Sequence, residues 1–253
     1  MDREEGRIAC IDMEFGHVYG THRNVVMPIE VGAVVYGRDD EMPVFAGRTF
    51  AYDIEVEVWQ NRIGPLGVRT GVETSVANPG KGLEGRPYDP SHRLGGRGWR
   101  RAREVAAASF TDLGDFMRDL CDEEDISRFA FFARGMETKA LARAGFDLSG
   151  YRCTDLQHEV RAALGMRDVL SLDRASCIID FAHTQGEILS RHYRYPVPEV
   201  YDGRISPHTA VGDASRIFLL AREFYAEKDG FLTAAGEYFS ECAAVAAKNP
   251  QGQ

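Results

Sequence analysis

Arg7-Ile8-Ala9-Cys10-Ile11-Asp12-Met13-Glu14 is the stretch from which the rest of the chain can be read. Its loose alternation around Ile8, Cys10 and Ile11 predicts a β-strand, on which residues two apart project from the same face. Asp12 and Glu14 therefore share a face at the end of an apolar strand. Two carboxylates so placed raise each other's pKa, and the pair asks for a cation. Read alone, the spacing favours a solvated strand end.

Working outward, residues 25–36 and 44–59 are rich in Val, Ile, Phe and Tyr and predict two further strands. Over 61–103 glycine becomes frequent, Pro65, Pro79, Pro87 and Pro90 are scattered, and no apolar period is sustained, which predicts a long Gly/Arg-rich insertion or arm. A helix capped by Ser109 or Thr111 should follow, with Phe110, Leu113, Phe116, Met117 and Leu120 at helical spacing. Strands are expected at 129–133 and 151–154, and helices at 138–144, 156–164, 174–184, 213–226 and 231–248. Three strands followed by alternating helix and strand predict an α/β fold, a mixed sheet flanked by helices. One domain is expected over 1–253, with the arm at about 61–103 and an extra C-terminal helix at about 231–248.

The composition, 44% hydrophobic and 27% charged in 253 residues, is that of a globular protein and excludes fibrous and low-complexity classes. A net charge of -9 argues against binding long duplexes through general positive charge, though it leaves room for a local basic patch. Cys10, Cys121, Cys153, Cys177 and Cys242 form no CxxC pair, so neither zinc nor a disulfide framework is indicated and a reducing cytoplasm is expected. The start MDREEGRIAC lacks the apolar stretch of a signal peptide, and no window approaches the ~20 apolar residues of a membrane span. Several enzyme classes are also excluded. Gly80-Lys81-Gly82 is not a phosphate-binding P-loop, no GxGxxG follows a strand, Ala162 stands where a zinc protease would need its second histidine after His158-Glu159, and no GxSxG occurs.

Two more segments carry acids in telling places. Phe132-Ala133-Arg134-Gly135-Met136-Glu137 runs from a strand through glycine into an acid opening a helix, where Glu137 by itself would complement the helix N-terminus by ~0.3–1 kcal/mol. His208-Thr209-Ala210-Val211-Gly212-Asp213-Ala214 follows Pro207 and leads into an amphipathic helix. Five residues at ~100° each put His208 and Asp213 on different helical faces, so a shared site needs His208 on the loop and Asp213 in the first turn. Taken alone, Asp213 as a cap and His208 as a surface loop residue fit equally well.

Together the three segments resemble the DEDDh (DnaQ-like) superfamily of 3′–5′ exonucleases. Asp12-Met13-Glu14 matches the family's Asp-x-Glu on the first strand, and His208, Ala210, Asp213 and Ala214 match its His-x-Ala-x-x-Asp-Ala. Pro28-Ile29-Glu30-Val31-Gly32-Ala33 looks like its second strand, and with Gly135-Met136-Glu137-Thr138-Lys139-Ala140-Leu141 it is most similar to the group that includes the RNA-trimming Eri-type nucleases. Glu137 stands where the family usually has Asp. The resemblance covers roughly 7–57 and 109–226.

The resemblance implies an RNase H-like fold with a five-stranded mixed sheet, and a two-metal-ion phosphodiester hydrolase using Mg2+ or Mn2+. Asp12, Glu14 and Asp213 would bind the first ion, Asp12 would bridge to the second, Glu137 would hold the second, and His208 would take the proton of the attacking water. The implied substrate is single-stranded nucleic acid with a free 3′ end, RNA slightly favoured over DNA, cut to nucleoside 5′-monophosphates; no membrane partner is expected, and a homodimer is left open. Phe15 is a candidate for stacking on the terminal base, with core packing as its other reading. Arg97, Trp99, Arg100, Arg101 and Arg103 in the arm have the composition of a single-strand contact surface, and a glycine-rich solvated loop fits the stretch equally well. Alternatively, the longer Glu137 and the net acidity suggest a catalytically weak or inactive nuclease-fold module for nucleic-acid binding or assembly.

Overall fold

The computed structural model describes residues 6–37, 41–63, 69–82, 85–91 and 93–248. Its first strands, β1 (Arg7–Tyr19) and β2 (Asn24–Tyr36), form a long antiparallel ladder, with Asp12 opposite Gly32 and Glu14 opposite Glu30. A register shift follows Glu14 directly, as β-bulges often do beside functional side chains. β3 (Val44–Thr49) pairs with the outer edge of β2.

The other edge of β1 is divided between two partners. Near its start it pairs in parallel with β7 (Ile126–Phe131), which pairs in parallel with β8 (Arg152–Asp155). Near its end it pairs antiparallel with β4 (Val56–Ile63), followed outward by β5 (Arg69–Ala77) and β6 (Gly85–Pro87). The result is an α/β fold on a mostly antiparallel eight-stranded sheet, where five strands were expected. Residues 44–59 are not one strand but β3 and β4, and the 61–103 stretch supplies β5 and β6 to the sheet.

Alternation on β1 and β2 sorts the core into two layers. Ala9, Ile11, Met13, Val31, Ala33 and Val35 pack under α1 (Gly96–Glu124). Cys10, Val34 and Tyr36 face the opposite layer, centred on α6 (Ala210–Ala226). The 29 residues of α1 begin well before Ser109, whose hydroxyl is buried mid-helix and donates to the Pro28 carbonyl. Thr111 likewise lies inside the helix and bonds back to Ala107 O at 3.2 Å, so neither residue is the cap.

In α6, 14 of 17 residues are buried, so it must be covered on both sides. The sheet covers one side; α4 (Leu172–Ile178) and α7 (Lys228–Lys248) cover the other through Ala175, Ile178, Phe231, Ala234 and Ala235. Between β7 and α4 lie α2 (Gly135–Arg143) and α3 (Leu156–Ala163). The helix expected over 174–184 stops at Ile178. Beyond it comes a small sheet of β9 (Ala182–Thr184), β10 (Glu187–Leu189) and β11 (Arg194–Pro196), then the short α5 (Glu199–Asp202). No helix among the described residues is long and apolar enough to cross a membrane.

Candidate metal centre

The site forms where the N-terminus of α6 meets the middle of β1. Asp12 and Glu14 project toward α6 from the same face as Cys10, and their ladder partners Gly32 and Glu30 bring the helix to them. A Cβ on Gly32 would lie 2.2 Å from the carbonyl carbon of Ala210, so only glycine lets the first turn of α6 rest on the strand. Glu30, 2% exposed, accepts the Ala210 N–H at 3.1 Å and the Arg204 guanidinium at 2.6 Å. A carboxylate on β2 thus satisfies an N–H at the start of α6 and fixes its position relative to β1.

The loop before α6 is equally constrained. Thr209 is the N-cap, its Oγ1 accepting from Gly212 N at 3.2 Å and donating to Arg204 O at 2.6 Å. Gly212 lies against the loop, where a Cβ would stand 2.2 Å from Ser206 O. His208 adopts a left-handed φ of 63°, a sparsely populated conformation for a side chain of its size. It is on the loop and Asp213 is in the first turn. Ligand atoms of Glu14, His208 and Asp213 all lie within 4.8 Å of one another.

Glu137 enters from α2, in the first turn after the left-handed Ala133. Its Oε2 is buried without a hydrogen-bond partner. Burial pushes its carboxyl up to about 7, against the pull of nearby backbone N–H groups and with the help of Asp155. Glu14 is pushed up to about 8 by burial, then by Asp213, Glu30 and Glu137. Asp12 is raised well above the carboxylate range by burial, then by Asp213, Glu14 and Glu137. Burial also raises Asp213, opposed mainly by Arg216.

Arg216 was not anticipated. Only 4% exposed, it reaches Asp213 Oδ1 at 2.8 Å, Asp173 Oδ1 at 2.5 Å and Ser176 Oγ at 2.7 Å. Its i+3 spacing from Asp213 on one helical stripe was a legible signal; the approach of Asp173 from α4 had none. Asp155 was also missed: it caps α3 through His158 N at 3.2 Å and accepts Ala133 N at 3.3 Å, which steadies the turn that carries Glu137.

The residues proposed for nucleic-acid contact do not join this cluster. Phe15 packs with Met13 against the α1 layer, across the sheet from Asp12 and Glu14. Arg97, Arg100, Arg101 and Arg103 lie on the first turns of α1 rather than in an irregular arm, all exposed. Trp99 faces inward, close enough to Gly20 that a Cβ there would meet its ring at 2.8 Å. The helical period turns Trp99, Ala102, Val105 and Ala106 to the sheet and the arginines to solvent.

No family model, curated protein or solved structure matches this chain.

Proposed function

We infer that this chain is a metal-dependent phosphodiester hydrolase that trims single-stranded RNA or DNA from the 3′ end. The observation that carries this reading is the meeting of Glu14, His208 and Asp213 within 4.8 Å, with Asp12 and Glu137 near enough to raise or be raised by the same charges. The strand order β3-β2-β1-β7-β8, with β2 antiparallel to β1 and β7 parallel to it, supports an RNase H-like core.

The donor set fits hard divalent cations. Several buried carboxylates raise one another's pKa, opposed at Asp213 by Arg216 and His208, and Glu137 Oε2 has no hydrogen-bond partner among the described residues. Asp12, Glu14 and Asp213 would hold one ion, Asp12 and Glu137 a second. When bound, such a pair supplies an activated water near neutral pH and neutralises charge on the attacking and leaving oxygens. Among the chain's own groups, Arg216 takes Oδ1 of Asp213 and so orients its carboxylate, and Glu30 fixes the helix that carries it. His208, whose ring nitrogen lies within 4.8 Å of the Glu14 and Asp213 carboxylates, would accept a proton from the attacking water.

The test is incubation of 5′-labelled single-stranded RNA and DNA with the protein in manganese, in magnesium and in chelator. Stepwise shortening from the 3′ end with metal and none in chelator is expected. Binding of the oligonucleotide without shortening in either metal would overturn the hydrolytic reading and leave the binding module.

A further inference from the structure

A second site lies toward the other end of α6. A cavity of about 400 Å³ opens between the start of β1, the strands β7 and β8, and the last turns of α6, lined by Ile8, Tyr36, Arg128, Arg152, Arg222 and Tyr225. Arg222 is nine residues beyond Asp213 on the same helix, about 14 Å along its axis at 1.5 Å per residue, so this cavity is separate from the acidic cluster.

The arginines are the anomaly. In a chain of net charge -9, three guanidinium groups converge on one cavity, and among the described residues none donates a side-chain hydrogen bond or joins an ion pair. The Nε atoms of Arg128 and Arg222 are buried and unpartnered. Arg222 stacks over the ring of Tyr193 at 4.8 Å, which holds it in place without neutralising it. Glu159, the carboxylate on the wall, accepts the Tyr225 hydroxyl at 2.8 Å. Guanidinium forks match phosphate oxygens in geometry and charge. Apart from Thr154, the rest of the wall is apolar or aromatic, Ile8, Tyr36, Phe129 and Tyr225 among it.

We propose that this cavity binds a small phosphorylated ligand carrying a flat apolar group, of mononucleotide size. The arginines take the phosphate and the tyrosine-lined wall takes the ring. The assignment does not rest on the hydrolytic reading, and working in chelator keeps the two apart.

Calorimetry of the full chain in chelator, with adenosine 5′-monophosphate, adenosine and inorganic phosphate as probes, tests it. Saturable binding of the monophosphate is expected, at least ~10-fold tighter than either part, and with it a rise in the thermal midpoint of the wild type. Arg128→Gln combined with Arg222→Gln should weaken it at least ~10-fold. The exposed Arg152→Gln, which removes no buried group, should weaken it ~3–10-fold and guards against a double variant that fails to fold. Glu14→Gln should leave it unchanged. No saturation by the monophosphate in wild type, equal affinity for inorganic phosphate, undiminished binding in the arginine variants, or loss of binding in Glu14→Gln would each overturn the proposal.

Discussion

Gly32 and Ala210 touch backbone to backbone: a Cβ at position 32 would stand 2.2 Å from the carbonyl carbon and 2.3 Å from the carbonyl oxygen of Ala210. Because Gly32 pairs with Asp12, this contact sets how far Asp213 stands from the carboxylates of β1. Gly32→Ala should therefore cost about 1–3 kcal/mol of stability, as overpacking does, and weaken divalent-ion binding as well. Gly203→Ala, where nothing lies within 4 Å, is the control and should change neither. Thermal unfolding and calorimetry with manganese measure both; a Gly32→Ala protein as stable as the control would show that α6 does not depend on this approach.

His208→Ala should retain binding of oligonucleotide and metal while lowering turnover by ~10²–10⁴, the range for a general base. Alanine meets the same left-handed φ as histidine at position 208 and the side chain there is only partly buried, so the alanine protein should fold. The measurement is single-turnover cleavage beside an oligonucleotide-binding curve. Turnover within twofold of wild type would remove His208 from the chemistry.

At Glu137 the expectation is asymmetric. Glu137→Ala should abolish cleavage by removing the unpartnered Oε2, whereas Glu137→Asp should retain or raise it. Wild type should work better in manganese than in magnesium, because magnesium demands near-ideal octahedral geometry and a carboxylate one methylene longer is harder to place. Labelled mononucleotide release by the three proteins in each metal decides it, and equal rates for wild type and Glu137→Ala would reduce Glu137 to a helix-start residue.

Without metal, pH should act through Glu14 and Glu137. Their folded-state pKa values, about 8 and about 7, lie above the ordinary 4.5, so between these values the folded chain binds more protons than the unfolded chain. Their contribution is full below about 4.5 and is lost as pH rises through about 7 to 8. In chelator the thermal midpoint should fall across that interval, and Glu14→Gln should flatten the fall. Saturating manganese should oppose it, because cation binding favours the deprotonated carboxylates. A midpoint in chelator that climbs from about pH 6 to about pH 8.5 would contradict the assigned burial of these acids.

Much of the local placement was legible in the sequence. Period-two alternation put Asp12 and Glu14 on one face, and the five-residue spacing of His208 and Asp213 meant that a shared site needed His208 on a loop and Asp213 in a first turn, as the structure has them. The start of α1 was not legible, because Gly96 and Gly98 each lower helix propensity by about 1 kcal/mol relative to Ala and mask the apolar stripe of Trp99, Ala102 and Val105. Packing against Gly20 and against Met27, Ile29, Val56 and Val58 of β2 and β4 overrides that deficit. Nor does spacing along one segment reveal which remote residues it will meet. Arg216 joining Asp213 to Asp173, Glu30 capping α6 from β2, and Asp12 gathering charge from positions more than 100 residues away arise only when the layers close. Sequence periodicity carries the direction in which a side chain points within its own element. Its neighbours are decided by burial of the two faces of the sheet, a property of the whole chain.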